Sequence, residues 1–203
     1  MTNLSLQDPS STTLASVFAV SASTAPTPGG GSVTAVCGYL GVSLLLKSIR
    51  VSARKQPDAI YPVLENKLLA LASQLLTAAQ VDSDAFAGYI RAMQLPRATT
   101  VEQAARRQAI HDASVAATES ALDILDLGNA VLDCARQLRD RVIVAIRADA
   151  RACIELISAM NIIARENALS NLAGMDSTDA LRHRLDQAVD QYQKLITACQ
   201  SSQ

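Results

Sequence analysis

Aromatic side chains are nearly missing from this chain, which has no Trp, two Phe and four Tyr among 203 residues. Proteins that hold single-stranded nucleic acid stack bases on such rings and attract the backbone with surplus cations. Here 18 basic residues face 19 acidic ones, for a net charge of −1, so no nucleic-acid partner is expected. Histidine is scarce, with two residues, and the four cysteines, Cys37, Cys134, Cys153 and Cys199, stand far apart with no Cys-x-x-Cys pair. Neither zinc nor an iron–sulfur cluster fits that spacing, so no metal is expected and the thiols should be free in a reducing cytosol. Met1 to Ser11 lacks a basic segment followed by a long apolar one, so no secretory signal is expected and the localisation reads as cytoplasmic. The longest apolar run, Val33 to Leu46, gives way to Lys47, Arg50, Arg54 and Lys55. It falls short of the roughly 20 residues of a membrane span and reads as a buried core helix, with no membrane partner.

What is abundant is Ala and Leu. With 49% hydrophobic residues and only eight Gly, the composition suits closely packed helices rather than sheets. The expected fold is all-α, a single multihelical bundle of about six or seven helices forming one domain over residues 1–203. Leu14, Val17, Phe18 and Ser21 predict a short helix over Thr13 to Ser21, followed by a first long helix from about Ser32 to Ser52. Pro57 and Asp58 restart the chain, and Ile60, Val63, Leu64, Leu68, Leu71, Leu75 and Leu76 trace an apolar face that continues toward Phe86, Ile90 and Met93 before Pro96. Thr99 with Glu102 has the spacing of a capping box and opens a helix expected to end at Leu125 or Leu127 before Gly128. A further helix runs through Ala130, Val131, Cys134 and Leu138. The next, from Val142 to about Leu172, contains neither Gly nor Pro; it is broken by Gly174 and followed by a last helix from Asp176 or Ser177 to Cys199.

The segment that stands out chemically is Pro26-Thr27-Pro28-Gly29-Gly30-Gly31-Ser32 at the head of the first long helix. Two prolines stiffen it, three glycines permit backbone shapes and close ligand contact that a Cβ would forbid, and Ser32 is placed to cap the helix. Free N–H groups at a helix start suit a carboxylate, a phosphate or the polar edge of a heterocycle. The alternative is a tight turn into a buried helix. A P-loop is excluded because Gly-x-x-x-x-Gly-Lys-[Ser/Thr] is absent, and a dinucleotide fingerprint because no strand precedes the glycines.

This loop with Val33, the Asp82-x-x-Ala85-Phe86 segment, and Leu95-Pro96-Arg97 before a Thr-rich cap resemble the cyclodeaminase/cyclohydrolase family, from about Leu14 to Leu195. That family includes formiminotetrahydrofolate cyclodeaminase and the stand-alone methenyltetrahydrofolate cyclohydrolases. Arg106 and Ile110 match the family's Arg and Ile after the cap, Asp149 matches the Asp of its Ser-Asp pair, and Asn167 and Asn171 match its two asparagines four residues apart. The chain departs from the pattern at Val142-Ile143, where the family has Gly-Asn, at Ala148 for Ser, at Ala121 for a proline, and at Lys47-Ser48 for Met-Val.

The resemblance implies a homodimer or larger oligomer whose folate pocket involves Pro28, Gly29, Gly30, Gly31 and Ser32. It implies no cofactor beyond a tetrahydrofolate derivative as substrate, most simply 5,10-methenyltetrahydrofolate hydrolysed to 10-formyltetrahydrofolate. Formiminotetrahydrofolate cyclodeaminase activity is one alternative, and a divergent member with an altered substrate or a non-catalytic role is another. Asp82 and Asp149 are the candidate proton-handling carboxylates. Both also have ordinary readings as solvated acids, although Asp149 shares a helix face with Ala145, Ile146, Ala152 and Cys153, where burying an acid is expensive. Asn167 and Asn171, at i and i+4, can present amides to a pterin edge or merely occupy a helix end. Lys47, Arg50, Lys55 and Arg97 are candidate cations for the anionic substrate, or for the surface and the helix dipole. His111 and His183 read as surface residues.

Overall fold

The structure, a computed structural model, describes residues 13–173, 175 and 178–200. Among these are six α-helices: α1 (Leu14–Ser21), α2 (Gly30–Ala53), α3 (Ile60–Met93), α4 (Thr100–Leu138), α5 (Arg147–Leu172) and α6 (Asp179–Gln200). The expected all-α bundle is present. The expected break at Gly174 and the start of the last helix at Asp176 or Ser177 lie outside the described residues.

Helices α2 to α5 form a ring in which α2 packs on α3 and α5, and α4 packs on the same two from the other side. Neighbours in the ring run antiparallel. On α2 and α3 this follows from the pairs Ser32–Asp82 and Arg50–Glu65, and on α2 and α5 from Gly31–Asn167 and Lys47–Asp149. Helix α6 lies parallel to α4, held by Arg184 to Asp126, Asn129 to the Ala188 carbonyl and Arg139 to the Ala198 carbonyl. The core is aliphatic, with Leu45, Ile49, Leu68, Leu75, Leu122, Leu125, Leu132, Ile157, Met160 and Leu172 fully buried. Leu64, Leu68, Leu71 and Leu75 of the expected α3 stripe are buried, while Val63, Phe86 and Met93 are exposed.

Several boundaries differ from the sequence expectation, each for a local reason. In α1, Thr13 is the cap, its hydroxyl accepting from the Ser16 N–H, and no residue of the helix is buried. Helix α2 begins two residues early, at Gly30, with Gly29 as an N-cap that makes no side-chain bond; Ser32 is therefore inside the helix, not its cap. Thr99 and Glu102 do form the capping box of α4. That helix then runs unbroken through Gly128 to Leu138, one helix where two were expected. The glycine is there for contact, because a Cβ on it would strike the Asn161 side chain of α5. Val142 lies outside any helix. It sits in a turn tied down by the Tyr61 hydroxyl on the Arg141 carbonyl and by Ser52 accepting from the Ile143 N–H, followed by a 3-10 turn, Val144–Ile146, into α5.

Among the described residues, α2 is the one helix long and apolar enough to cross a membrane, yet half of its most apolar stretch is buried in the bundle. That is the pattern of a core helix.

Candidate active site

The start of α2 meets the middle of α3 and the last turns of α5, and the smallest residue there is Gly31. A Cβ on Gly31 would lie 2.7 and 2.8 Å from the two carboxylate oxygens of Asp82 and 2.8 Å from Nδ2 of Asn167. Asp82 and Asn167, 85 positions apart in sequence, thus converge on one glycine. The three glycines are not equivalent: Gly29 has nothing within 4 Å of such a Cβ, and Gly30 only Ile163 at 3.9 Å. No described glycine has positive φ, so conformational freedom is not what this loop requires; close approach at Gly31 is.

Ser32, fully buried, donates its hydroxyl to Oδ2 of Asp82 at 2.7 Å, and its oxygen lies 2.9 Å from that of buried Ser83. Burial raises the Asp82 pKa above the usual carboxylate value, and hydrogen bonds from the Ser32 hydroxyl and N–H oppose the rise. The cluster joins a partly desolvated carboxylate, an amide and two hydroxyls at a helix N-terminus. It is equipped to accept a proton and to hold a polar ring edge. Asn171, half-buried, is one turn beyond Asn167 on α5, and Pro28 enters the loop through a cis peptide bond with Thr27.

Asp149 is elsewhere. Its Oδ2 pairs with Lys47 Nζ at 2.6 Å, and Lys47 stands fifteen residues along α2 from Ser32, or about 22 Å at the rise of an α-helix. The fold therefore does not bring the two candidate carboxylates together within the chain, and Lys47 is the counter-ion of the second. Arg50 pairs with Glu65 at 2.8 Å, and Lys55 is exposed in the turn after α2, at the same far end. Arg97, exposed between α3 and α4, is the one of the four cations at the glycine-loop end. Nothing local in the sequence marks Ser83, nor a cleft of about 480 Å³ at the far end that gathers Arg139, Arg147 and Arg151 beside Asp140 and Glu155. Arg106 donates to the Met93 carbonyl and so closes the end of α3. His111 and His183 are exposed.

The family model described as formiminotransferase-cyclodeaminase matches residues 13–191. The chain belongs to that family. Among relatives of this chain, a methenyltetrahydrofolate cyclohydrolase of Methylorubrum extorquens is 29% identical over 169 residues, covering 81% of each protein. The crystal structure of formiminotetrahydrofolate cyclodeaminase from Thermotoga maritima superposes with a TM-score of 0.82 over 93% of this chain and 94% of its own, at 17% identity. The family bundle is thus kept where few side chains are shared.

Proposed function

We propose that this protein is a folate one-carbon enzyme that hydrolyses 5,10-methenyltetrahydrofolate to 10-formyltetrahydrofolate at the Gly31 cluster. The observation that carries the reading is the meeting of a partly desolvated carboxylate, Asp82, with the Asn167 amide at a glycine-lined helix start. The relative named as a cyclohydrolase, matched over 81% of both chains, supports hydrolysis over release of ammonia.

The bridging carbon of this substrate is already a cationic electrophile, so the protein has to place a water, take a proton and let the ring open. Asp82 lies opposite the positive charge and accepts one proton of the water as the C–O bond forms. The bond from carbon to N5 then breaks as Asp82 returns its proton to N5, the carbinol hydroxyl gives its proton to solvent, and the carbon stays on N10 as a formyl group. Burial makes Asp82 a stronger base than an exposed carboxylate. Asn167 and Asn171 supply donors and acceptors to the pterin edge, and Gly29 and Gly30 leave open the space a side chain would fill. Neither a metal nor a covalent nucleophile is needed for this route.

Loss of the methenyltetrahydrofolate absorbance tests the reading with wild type, Asp82→Asn and Gly31→Ala. Wild type should exceed the spontaneous rate. Asp82→Asn should lose about 10²- to 10⁴-fold, the usual scale for a general base. Gly31→Ala should fall steeply too, because its methyl displaces both Asp82 and Asn167. No acceleration by the wild type sinks the proposal.

A further inference from the structure

Two serines sit behind Asp82, and one proton count fixes how they are arranged. A hydroxyl carries a single hydrogen, and an ionised carboxylate carries none. The hydrogen in the 2.7 Å contact between Ser32 and Asp82 Oδ2 therefore belongs to Ser32. Ser32 has then nothing left to give in its 2.9 Å contact with Ser83, so that hydrogen belongs to Ser83. The chain of donation runs from Ser83 to Ser32 to Oδ2, and among the described residues Oδ1 receives no hydroxyl.

We infer that Ser83 is a positioning residue that locks the Ser32 proton onto Oδ2 and leaves Oδ1 as the atom of Asp82 that takes up a proton. Protonation at Oδ2 would require both hydroxyls to turn, whereas protonation at Oδ1 leaves the relay as it stands. Both serines are buried, at 0% and 8% exposure, so water does not readily replace either donor. The side chains recorded at the carboxylate from the packed helices are Ser32 of α2 and, across Gly31, Asn167 of α5, neither of them titratable. The relay thus acts on this acid beside its burial and the Ser32 N–H, since a donor that is itself a hydrogen-bond acceptor is polarised and binds more strongly.

The catalytic half of the inference rests on the hydrolase reading, and the electrostatic half does not. The experiment is a pH titration of the Asp82 carboxyl by ¹³C NMR in the intact protein, with wild type, Ser83→Ala and Ser83→Thr, each also assayed for cyclohydrolase activity across pH. Ser83→Ala should raise the Asp82 midpoint by about half a pH unit, and Ser83→Thr should restore it, with the acidic limb of kcat/KM moving in step. An unmoved Asp82 midpoint in Ser83→Ala overturns the inference, as does a threonine variant that behaves like alanine. A shifted midpoint in a protein without hydrolase activity upholds the relay and sinks only the substrate reading.

Discussion

Asp82 is the residue at which folding and the proposed chemistry pull in opposite directions. Its folded pKa is raised above the ordinary value of 3.8, chiefly by burial. The native state therefore holds the proton more tightly than the unfolded chain does. The resulting penalty is absent below the unfolded value and grows as pH rises from there through the folded pKa. Asp82→Asn removes the charge and keeps an oxygen for Ser32. Its thermal midpoint should exceed that of wild type at neutral pH, and the difference should vanish toward pH 3. Equal midpoints at neutral pH would show that the carboxylate costs the fold nothing. The sequence made Asp82 and the glycine loop visible through a family resemblance, but it did not separate Gly31 from Gly29 and Gly30. That distinction depends on what another helix puts beside each Cα. Ser83 was invisible for the same reason, because a serine in a helix gives no local sign of which way its hydroxyl is held.

Among the elements, α4 is where local rules and packing disagree. A glycine followed by Asn reads as a helix end, yet Gly128 and Asn129 sit in mid-helix. Their reason is lateral. Asn161 of α5 enters the space over Gly128 and donates to Asn129, which in turn donates to the Ala188 carbonyl of α6. Three helices are fixed in register by two amides and an absent Cβ. Gly128→Ala should destabilise by about 1–3 kcal/mol through overpacking against Asn161 and Met160. Gly88→Ala in α3, where a Cβ meets only the Arg91 guanidinium at 3.6 Å, should stabilise by about 0.4–1 kcal/mol. Urea unfolding of the two variants checks both signs, and a Gly128→Ala variant as stable as wild type would remove the packing account. The capping box at Thr99 was readable because it is written within four residues, whereas the contact at Gly128 spans 33 positions to Asn161.

On the scale of the whole molecule, α2 has two ends with different neighbours. The glycine-loop end holds Asp82 and Asn167, and the other holds the Lys47–Asp149 and Arg50–Glu65 pairs. An antiparallel ring sends residues far apart along one helix to opposite faces of the bundle, a separation that helical periodicity alone does not reveal. In the Lys47–Asp149 pair the lysine is exposed and the aspartate half-buried, so the pair adds about 1 kcal/mol to stability. Asp149→Asn should therefore leave both the melting midpoint and the rate of the proposed cyclohydrolase reaction near those of wild type. A loss as large as that of Asp82→Asn would instead bring Asp149 to the reacting atoms from a second copy of the chain. The bundle also buries two of its four thiols, Cys134 and Cys153. Cys153 is fully buried with its pKa pushed up to about 12, chiefly by burial, and Cys199 is raised to about 11. At neutral pH Cys153 is therefore held as the thiol, and it does not face solvent. Alkylating reagents and peroxide reach that sulfur only when the helices part, so its modification keeps time with the opening of the molecule.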